Sequence, residues 1–305
     1  MSKYKGLSDV VIDALKLHSS YKLPMIKLGK PGNRLIVASG NAVPTAKIVF
    51  NHSVTIIEDE GQYQIVLKEN KSIKTGVVLS ASGTKHAPII IKDLLKRKIN
   101  AYLLTCDKTS PAAKLLPKSH IVETKSNVEP ITYNTSTYLG MILAKTREDP
   151  TKILNHIQKR VKKSLKVDLK NFKSFYIIIP PEFDILKEML LTKFDELFGG
   201  KVNGRCYTSE QTKHAKTVVP SKDELFISIG FENKIFGDKS ARWNISLFKG
   251  ADFASIIAIG YYAIGLIQKN KPPYFMKNAE KYSKIQKEDL FDKKFFDSGM
   301  SRYLV

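Results

Sequence analysis

Gly76-Val-Val-Leu-Ser80-Ala-Ser82-Gly83-Thr84-Lys85-His86-Ala-Pro88, followed by a helical pattern that runs into Ala101-Tyr-Leu-Leu-Thr105-Cys106, decides the fold of this chain. The run Gly76–Ser80 is short, apolar and β-branched at its start, as in a strand buried on both sheet faces. Ile90, Ile91, Leu94 and Leu95 then recur at helical spacing, with Pro88 suited to the first turn. A second apolar run follows at once, which makes a βαβ unit. Between strand and helix, small hydroxyl side chains and a glycine let turn N–H groups approach an anion, with the positive end of the helix dipole behind them. The same turn type also fills ordinary βα connections that hold no ligand.

Upstream, Arg34-Leu-Ile-Val-Ala38 leads into Ser39-Gly40-Asn41-Ala42 and a helix beginning near Pro44. Two strand ends thus present serine and glycine to one face, where open parallel sheets bind ligands. From Ser174 the alternation restarts, predicting a strand at 174–179, a helix at about 182–198, strands at about 224–230 and 243–248, and a helix at 252–269. Alternating strands and helices imply a second doubly wound unit. The chain is therefore expected to be α/β, with two doubly wound, flavodoxin-like parallel-sheet domains in tandem, residues 1–155 and 156–305. The boundary falls in the Lys/Arg-rich stretch Lys152–Lys173, read as a linker helix with a solvated basic face.

Residues Ser80–Thr84, the helix after them, Leu103-Leu-Thr105, Ser110-Pro111-Ala-Ala-Lys114 and Glu129-Pro130-Ile-Thr-Tyr-Asn134-Thr135-Ser136-Thr137-Tyr138 together resemble the SIS (sugar isomerase) domain family, over roughly Ile36 to Leu143. Tandem domains are common there, so the resemblance extends over most of the chain, leaving out the first 30 residues and the tail after about Pro272. It implies that Ser39, Ser80, Ser82 and Thr84 hold a sugar phosphate, and that Gly40, Asn41, Asn134, Thr135 and Ser136 border or close over the sugar. Glu129 is expected to order that loop rather than to react. Lys85 either adds a charge to the phosphate or faces solvent, and His86 either donates to the same anion or is an ordinary surface histidine. The turn Ile229-Gly230-Phe231-Glu232-Asn233 lacks the serine pattern, so only the first domain is expected to hold phosphate.

The segment Tyr207–Lys216 resembles the part of glucosamine-6-phosphate synthase-type members that carries a ring-opening histidine, and His214 is the matching position. In that type a glutamate sixteen positions earlier moves a proton between C1 and C2; allowing for an insertion through Gly199-Gly200, the resemblance puts this role on Glu196, with Glu188 and Asp195 as rivals. The chain departs from the pattern at Ala215-Lys216, where the type has glycine-proline. The chemistry suits the residue types: histidine titrates near neutrality, and a carboxylate shuttles a proton between adjacent carbons through an enediol. Each also has a plain reading, His214 as a solvated surface histidine and Glu196 as a helix residue paired with Lys193.

The expected function is a phosphosugar isomerase, aldose–ketose or amino-sugar-phosphate isomerase/deaminase; the alternative is a non-catalytic phosphosugar sensor. Fifty Lys+Arg against 29 Asp+Glu give a formal charge of +21, which steers an anionic substrate. The lysines are spread along the chain and no nucleic-acid signature accompanies them, so no specific nucleic-acid partner is expected. Cys106 and Cys206 have no CxxC partner or clustered histidines, so neither a metal, a cofactor nor a disulfide framework is indicated, and Cys106 reads as a small core residue. With no apolar leader and no long apolar run, a cytoplasmic protein with no membrane partner is expected. Phosphorylated sugar or amino sugar is the expected ligand. The resemblance implies a homodimer with a shared active site. Phe291, Phe295 and Phe296 suggest a tail docked on the body or on a partner subunit.

Overall fold

The computed structural model describes residues 5–28, 33–50 and 55–287. In chain order these form α1 (Leu7–Ser19), β1 (Arg34–Ala38), α2 (Ala42–Val49), β2 (Thr55–Asp59), α3 (Tyr63–Glu69), β3 (Thr75–Leu79), α4 (His86–Lys96), β4 (Asn100–Thr105), β5 (Ile121–Glu123), α5 (Thr135–Thr146), α6 (Pro150–His156) and α7 (Lys162–Ser164). There follow β6 (Ser174–Ile179), α8 (Lys187–Phe198), β7 (Asn203–Thr208), α9 (Ser209–Lys213), β8 (Glu224–Ile229), β9 (Arg242–Ile245), α10 (Phe253–Lys269) and α11 (Tyr274–Lys287).

Two sheets result, in the orders β2-β1-β3-β4-β5 and β7-β6-β8-β9, with every pairing parallel. The first order is the flavodoxin-like doubly wound one, with its switch point between β1 and β3. The central strands β1, β3 and β4 are mostly apolar because both of their faces are covered. Leu35, Val37, Val78 and Leu103 pack towards α3 and α4, while Ile36, Ala38, Val77, Leu79 and Leu104 face a larger core. That larger core is continuous through the molecule: it takes in α1, α5, α10 and the inner residues of the second sheet, among them Ile177, Ile179, Ile227 and Ile229. Helix α10 is buried over nearly its whole length, and Gly265 lets it lie against α1, where a Cβ would come within 2.1 Å of the Ser8 backbone nitrogen.

Several elements differ from the sequence expectation. The unpredicted strand β7, Asn-Gly-Arg-Cys-Tyr-Thr, is a sheet edge with only Cys206 and Thr208 buried, so it lacks an apolar run. The expected helix at 182–198 begins as a 3-10 stretch, Pro181–Leu186, whose three-residue repeat buries both Phe183 and Leu186 before α8 starts. Strand β9 ends at Ile245 rather than Phe248, and the Ser246 carbonyl is taken by the His156 ring at 2.7 Å instead of by a neighbouring strand. Helix α1 lies in the first 30 residues, which the resemblance left out.

Around the expected boundary, α6 continues through a π turn, Ile157–Val161, into α7, so residues 155 and 156 belong to one helical rod. Ile153, Ile157 and Val161 are buried at four-residue spacing, and Lys159, Arg160, Lys162 and Lys163 form the solvated basic face. Pro272-Pro273 separates α10 from α11, which docks with the Phe275 ring 5.0 Å from that of Tyr133. Phe291, Phe295, Phe296 and the terminal Ser301–Val305 lie outside the described residues. Among the described residues, no helix is long and apolar enough to cross a membrane.

Candidate functional site

The carboxyl ends of β1 and β3 open into two adjoining cavities. The smaller, about 320 Å³, lies under the turns and includes Ser39, Ser80, Ser82, Lys85 and His86. The larger, about 800 Å³, is walled by Ser39, Gly40, Asn41, Ser82, Thr84 and Lys85 on one side and by Asn134, Tyr138 and Glu196 on the other. Residues far apart in sequence therefore meet at the switch point of the first sheet, where open α/β sheets bind ligands.

The turn after β3 is tied down on all sides. Ser80 N–H donates to Leu104 O at 3.0 Å, and Ala81 O accepts from Cys106 N–H and from the Thr105 hydroxyl. Ser80 Oγ accepts from Gly83 N–H at 3.2 Å, and Ser82 and Thr84 share a hydroxyl hydrogen bond of 2.6 Å. Gly83 has φ +59° and lies so close to Ser110 that a Cβ would approach its Oγ to 2.2 Å, so only glycine fits. Lys85, at φ +28°, holds the strained position that opens α4. Beside it, His86 Nδ1 stands 3.7 Å from Glu60 Oε1.

On the opposite wall, Glu129 is half-buried under the start of α5 and accepts Thr135 N–H at 2.6 Å and Ser136 N–H at 2.7 Å. Burial pushes its carboxyl up, against the lowering effect of Ser136 and Thr135. Ser136 Oγ accepts from Asn127 N–H at 2.8 Å, and Thr135 is likewise buried. Of the three residues expected to close over the sugar, Asn134 reaches the cavity, at φ +46°, while Thr135 and Ser136 sit behind it and organise the loop.

Glu196 reaches the cavity from the last turn of α8. Its Oε2 lies 2.5 Å from Lys193 Nζ, and Lys193 is fully buried, donating also to Thr132 O at 3.1 Å and Tyr133 O at 2.8 Å. Burial pushes the Lys193 ammonium below its ordinary range, the Glu196 charge and hydrogen bond offset part of that fall, and the three acceptors match its three N–H bonds. Burial pushes the Glu196 carboxyl above its ordinary range, and the neighbouring Lys193 charge offsets part of that rise. Of the rivals, Glu188 and Asp195 are exposed, and only Glu196 shares the larger cavity with the serine turn.

His214 is not part of this assembly within one chain. It is exposed at the end of α9, beyond the carboxyl end of β7, whereas Glu196 stands near the start of that six-residue strand. A strand of that length spans about 20 Å, and His214 lines neither of the two cavities. At the corresponding end of the second sheet, Gly230 packs against Pro180 and Leu247, leaving no serine-lined turn there. Cys106 is half-buried, packed against the larger core and on the wall of the larger cavity, with Sγ 3.4 Å from Thr124 Oγ1, and both cysteines are free. Among the described residues no group of three or more His, Cys, Asp or Glu is placed to hold a metal ion.

Sequence reasoning missed the part played by α1. His18 is buried, with Nε2 2.8 Å from Ser136 O and Nδ1 3.0 Å from the Tyr21 hydroxyl. The carbonyl can only accept, so Nε2 carries the proton and the Tyr21 hydroxyl donates to Nδ1. That hydroxyl oxygen in turn accepts from Lys125 N–H at 3.1 Å, so α1 anchors the loop between β5 and α5. The legible signal was a histidine in register with Val11, Ala14 and Leu15 on the apolar face of a helix.

Among solved structures, the fold matches the C-terminal domain of glucosamine-fructose-6-phosphate aminotransferase from Francisella tularensis, at 15% identity and TM-score 0.58, over 88% of this chain and 98% of that one. It also matches glucosamine-6-phosphate deaminase from Thermotoga maritima, at 15% identity and TM-score 0.58, over 86% and 92% of the two chains. Tagatose-6-phosphate ketose/aldose isomerase from Escherichia coli matches at 11% identity and TM-score 0.56, over 88% and 89%. The chain shares the SIS fold of these proteins. No family model matches the sequence, and no curated protein matches it. At such identities the likeness is one of fold, and the contents of the SIS-fold cavity must be argued from this chain's own residues.

Proposed function

We propose that the chain is a phosphosugar isomerase, of the aldose–ketose or amino-sugar-phosphate isomerase/deaminase kind, built from two SIS domains at 1–155 and 156–305. The observation that carries this reading is the larger cavity, where the serine turns and Glu196 face one another. Ser39, Ser80, Ser82, Thr84 and Lys85 bind the phosphate through hydroxyls, turn N–H groups and one charge. Gly40, Asn41 and Asn134 border the sugar, with Thr135 and Ser136 holding the loop that carries Asn134.

With the phosphate anchored, Glu196 takes the C2 proton of the open-chain aldose. The C2–H electron pair forms the C1=C2 bond, and the carbonyl pair moves onto O1. Return of the proton to C1, with transfer of the O2 proton to O1, yields the ketose. The base contributes on the order of 10²–10⁴-fold, and anchoring the reacting carbons beside it supplies much of the remainder. His214 opens the sugar ring from a second copy of the chain, since within one chain it lies away from Glu196; a homodimer follows from that reading.

The test is a thermal-shift panel of sugar phosphates and amino-sugar phosphates on wild type and Ser82→Ala, with C2–H exchange in D2O followed by NMR. The expected result is stabilisation lost in Ser82→Ala and exchange abolished in Glu196→Gln. Binding without exchange would instead identify a sensor, and absence of binding would remove the phosphosugar reading.

A further inference from the structure

Three tyrosines surround the Lys193–Glu196 pair, and they are not equivalent. The Tyr133 hydroxyl accepts from Gln268 Nε2 at 2.9 Å, and the Tyr261 hydroxyl donates to Met189 O at 3.3 Å. Tyr138 has neither kind of partner: among the described residues no hydrogen bond involves its hydroxyl, although the residue is only 8% exposed. Buried phenols ordinarily find a partner, because an unmatched hydroxyl away from bulk water is costly. Its position explains the exception. Tyr138 lines both cavities, on the first turn of α5.

Two polar atoms of residues lining the larger cavity, Asn41 Oδ1 and Thr132 Oγ1, are buried without a partner. An amide oxygen that needs a donor, a threonine hydroxyl and a phenol together suit a ligand that both donates and accepts, as the hydroxyls of a sugar do. The phenol also lies within the electrostatic reach of Glu196. Burial first, and the Glu196 charge after it, push its ionisation well above the ordinary tyrosine range, so it stays a donor at any working pH.

We propose, on the reading of this cavity as a phosphosugar isomerase site, that Tyr138 is a catalytic residue whose hydroxyl donates a hydrogen bond to substrate O1 as charge gathers there. Glu196 takes the carbon-bound proton while Tyr138 stabilises the oxygen that receives the displaced electron pair; no proton leaves the phenol, and no further reactant enters. A donor already in place, aimed where charge develops, acts on the transition state more than on the bound substrate. The ring itself packs into the core, so removal of the oxygen alone leaves the fold and the phosphate anchor in place.

The experiment measures exchange of the C1 proton of fructose 6-phosphate and of the C2 proton of glucosamine 6-phosphate in D2O with wild type, Tyr138→Phe and Tyr138→His. The expected result for Tyr138→Phe is a fall in kcat of roughly 10²–10³-fold with KM changed less than about threefold. Tyr138→His, which restores an N–H donor, should recover part of the rate, and it carries the test should the phenylalanine variant not fold. Exchange by Tyr138→Phe at the wild-type rate, or a change in KM alone, overturns the role of Tyr138 while leaving the isomerase reading intact. A wild type that exchanges neither probe nor any other sugar phosphate that stabilises it overturns the isomerase reading, and the role of Tyr138 with it.

Discussion

Lys193 Nζ lies 2.5 Å from Glu196 Oε2, and its other two hydrogen bonds go to the carbonyls of Thr132 and Tyr133. One fully buried ammonium thus joins the proposed base to the chain segment that lines the same cavity. Replacing it with methionine keeps the volume and leaves a largely buried carboxylate and two carbonyls without their donor. Lys193→Met should lower stability by about 3–5 kcal/mol, as breaking a buried pair does, and adding Glu196→Gln should recover part of that loss. Urea unfolding of the single and double variants measures this; equal stabilities for wild type and Lys193→Met would contradict it.

The pH dependence of proton exchange should carry the mark of a buried base. As the proposed base, Glu196 would act ionised, and burial holds its carboxyl above the ordinary range, so exchange should fall as pH drops through a value above that of a solvated glutamate. In Lys193→Met, without the positive charge, that limb should move to still higher pH. An acid limb at the solvated value in both proteins would mean that some other group is the base.

His18 supplies a second titration, one of stability. Burial holds its imidazole below the ordinary value of about 6.5, against the raising effect of the Ser136 carbonyl, so the folded protein prefers the neutral ring. Its contribution is therefore present above pH 6.5 or so and is lost as pH falls towards the depressed folded value. The melting temperature of wild type minus that of His18→Gln should shrink between pH 7 and pH 5. A constant difference would show that the ring does not titrate with folding.

Gly83→Ala should destabilise the protein and disturb the serine turn together. The new methyl would meet Ser110 Oγ at 2.2 Å in a backbone with φ +59°. About 1–3 kcal/mol is expected from the backbone conformation before the collision is counted. A melting curve and a titration with inorganic phosphate read the two effects; an unchanged pair of values would show that the turn has room to relax.

If His214 acts across a dimer, Glu196→Gln and His214→Ala should complement each other. Equal mixing with subunit exchange places both intact groups in one site of each mixed dimer. About a quarter of wild-type exchange activity is then expected from two preparations that have almost none alone. No recovery in a mixture shown by mass spectrometry to contain mixed dimers would confine His214 to its own chain or remove it from the reaction.

Much of the fold was legible because its strands are buried on both faces and so read as unbroken apolar runs. Arg34–Ala38, the run at Gly76–Leu79 and Ser174–Ile179 stand out for that reason, and β6 carries the predicted limits. Edge strands were the ones missed: β7 has four of its six residues outside the buried class, and periodicity has nothing to mark. The serine turn was legible too, since a strand end followed by small hydroxyls and a glycine is a local pattern.

Local sequence thus determined the βαβ unit, the serine- and glycine-bearing turn and the placing of most helices and strands, because those depend on neighbours within a few residues. It proposed Glu196 beside Glu188 and Asp195 but had no means of separating them. Tertiary structure brought Glu196 alone to the serine turn, took Thr135 and Ser136 behind the loop, set Tyr138 without a partner on the cavity wall and left His214 outside it. Those outcomes turn on which side chains share one low-dielectric space. That is settled by the packing of α5 and α8 against the ends of the first sheet, a relation between segments some sixty residues apart that no local pattern encodes.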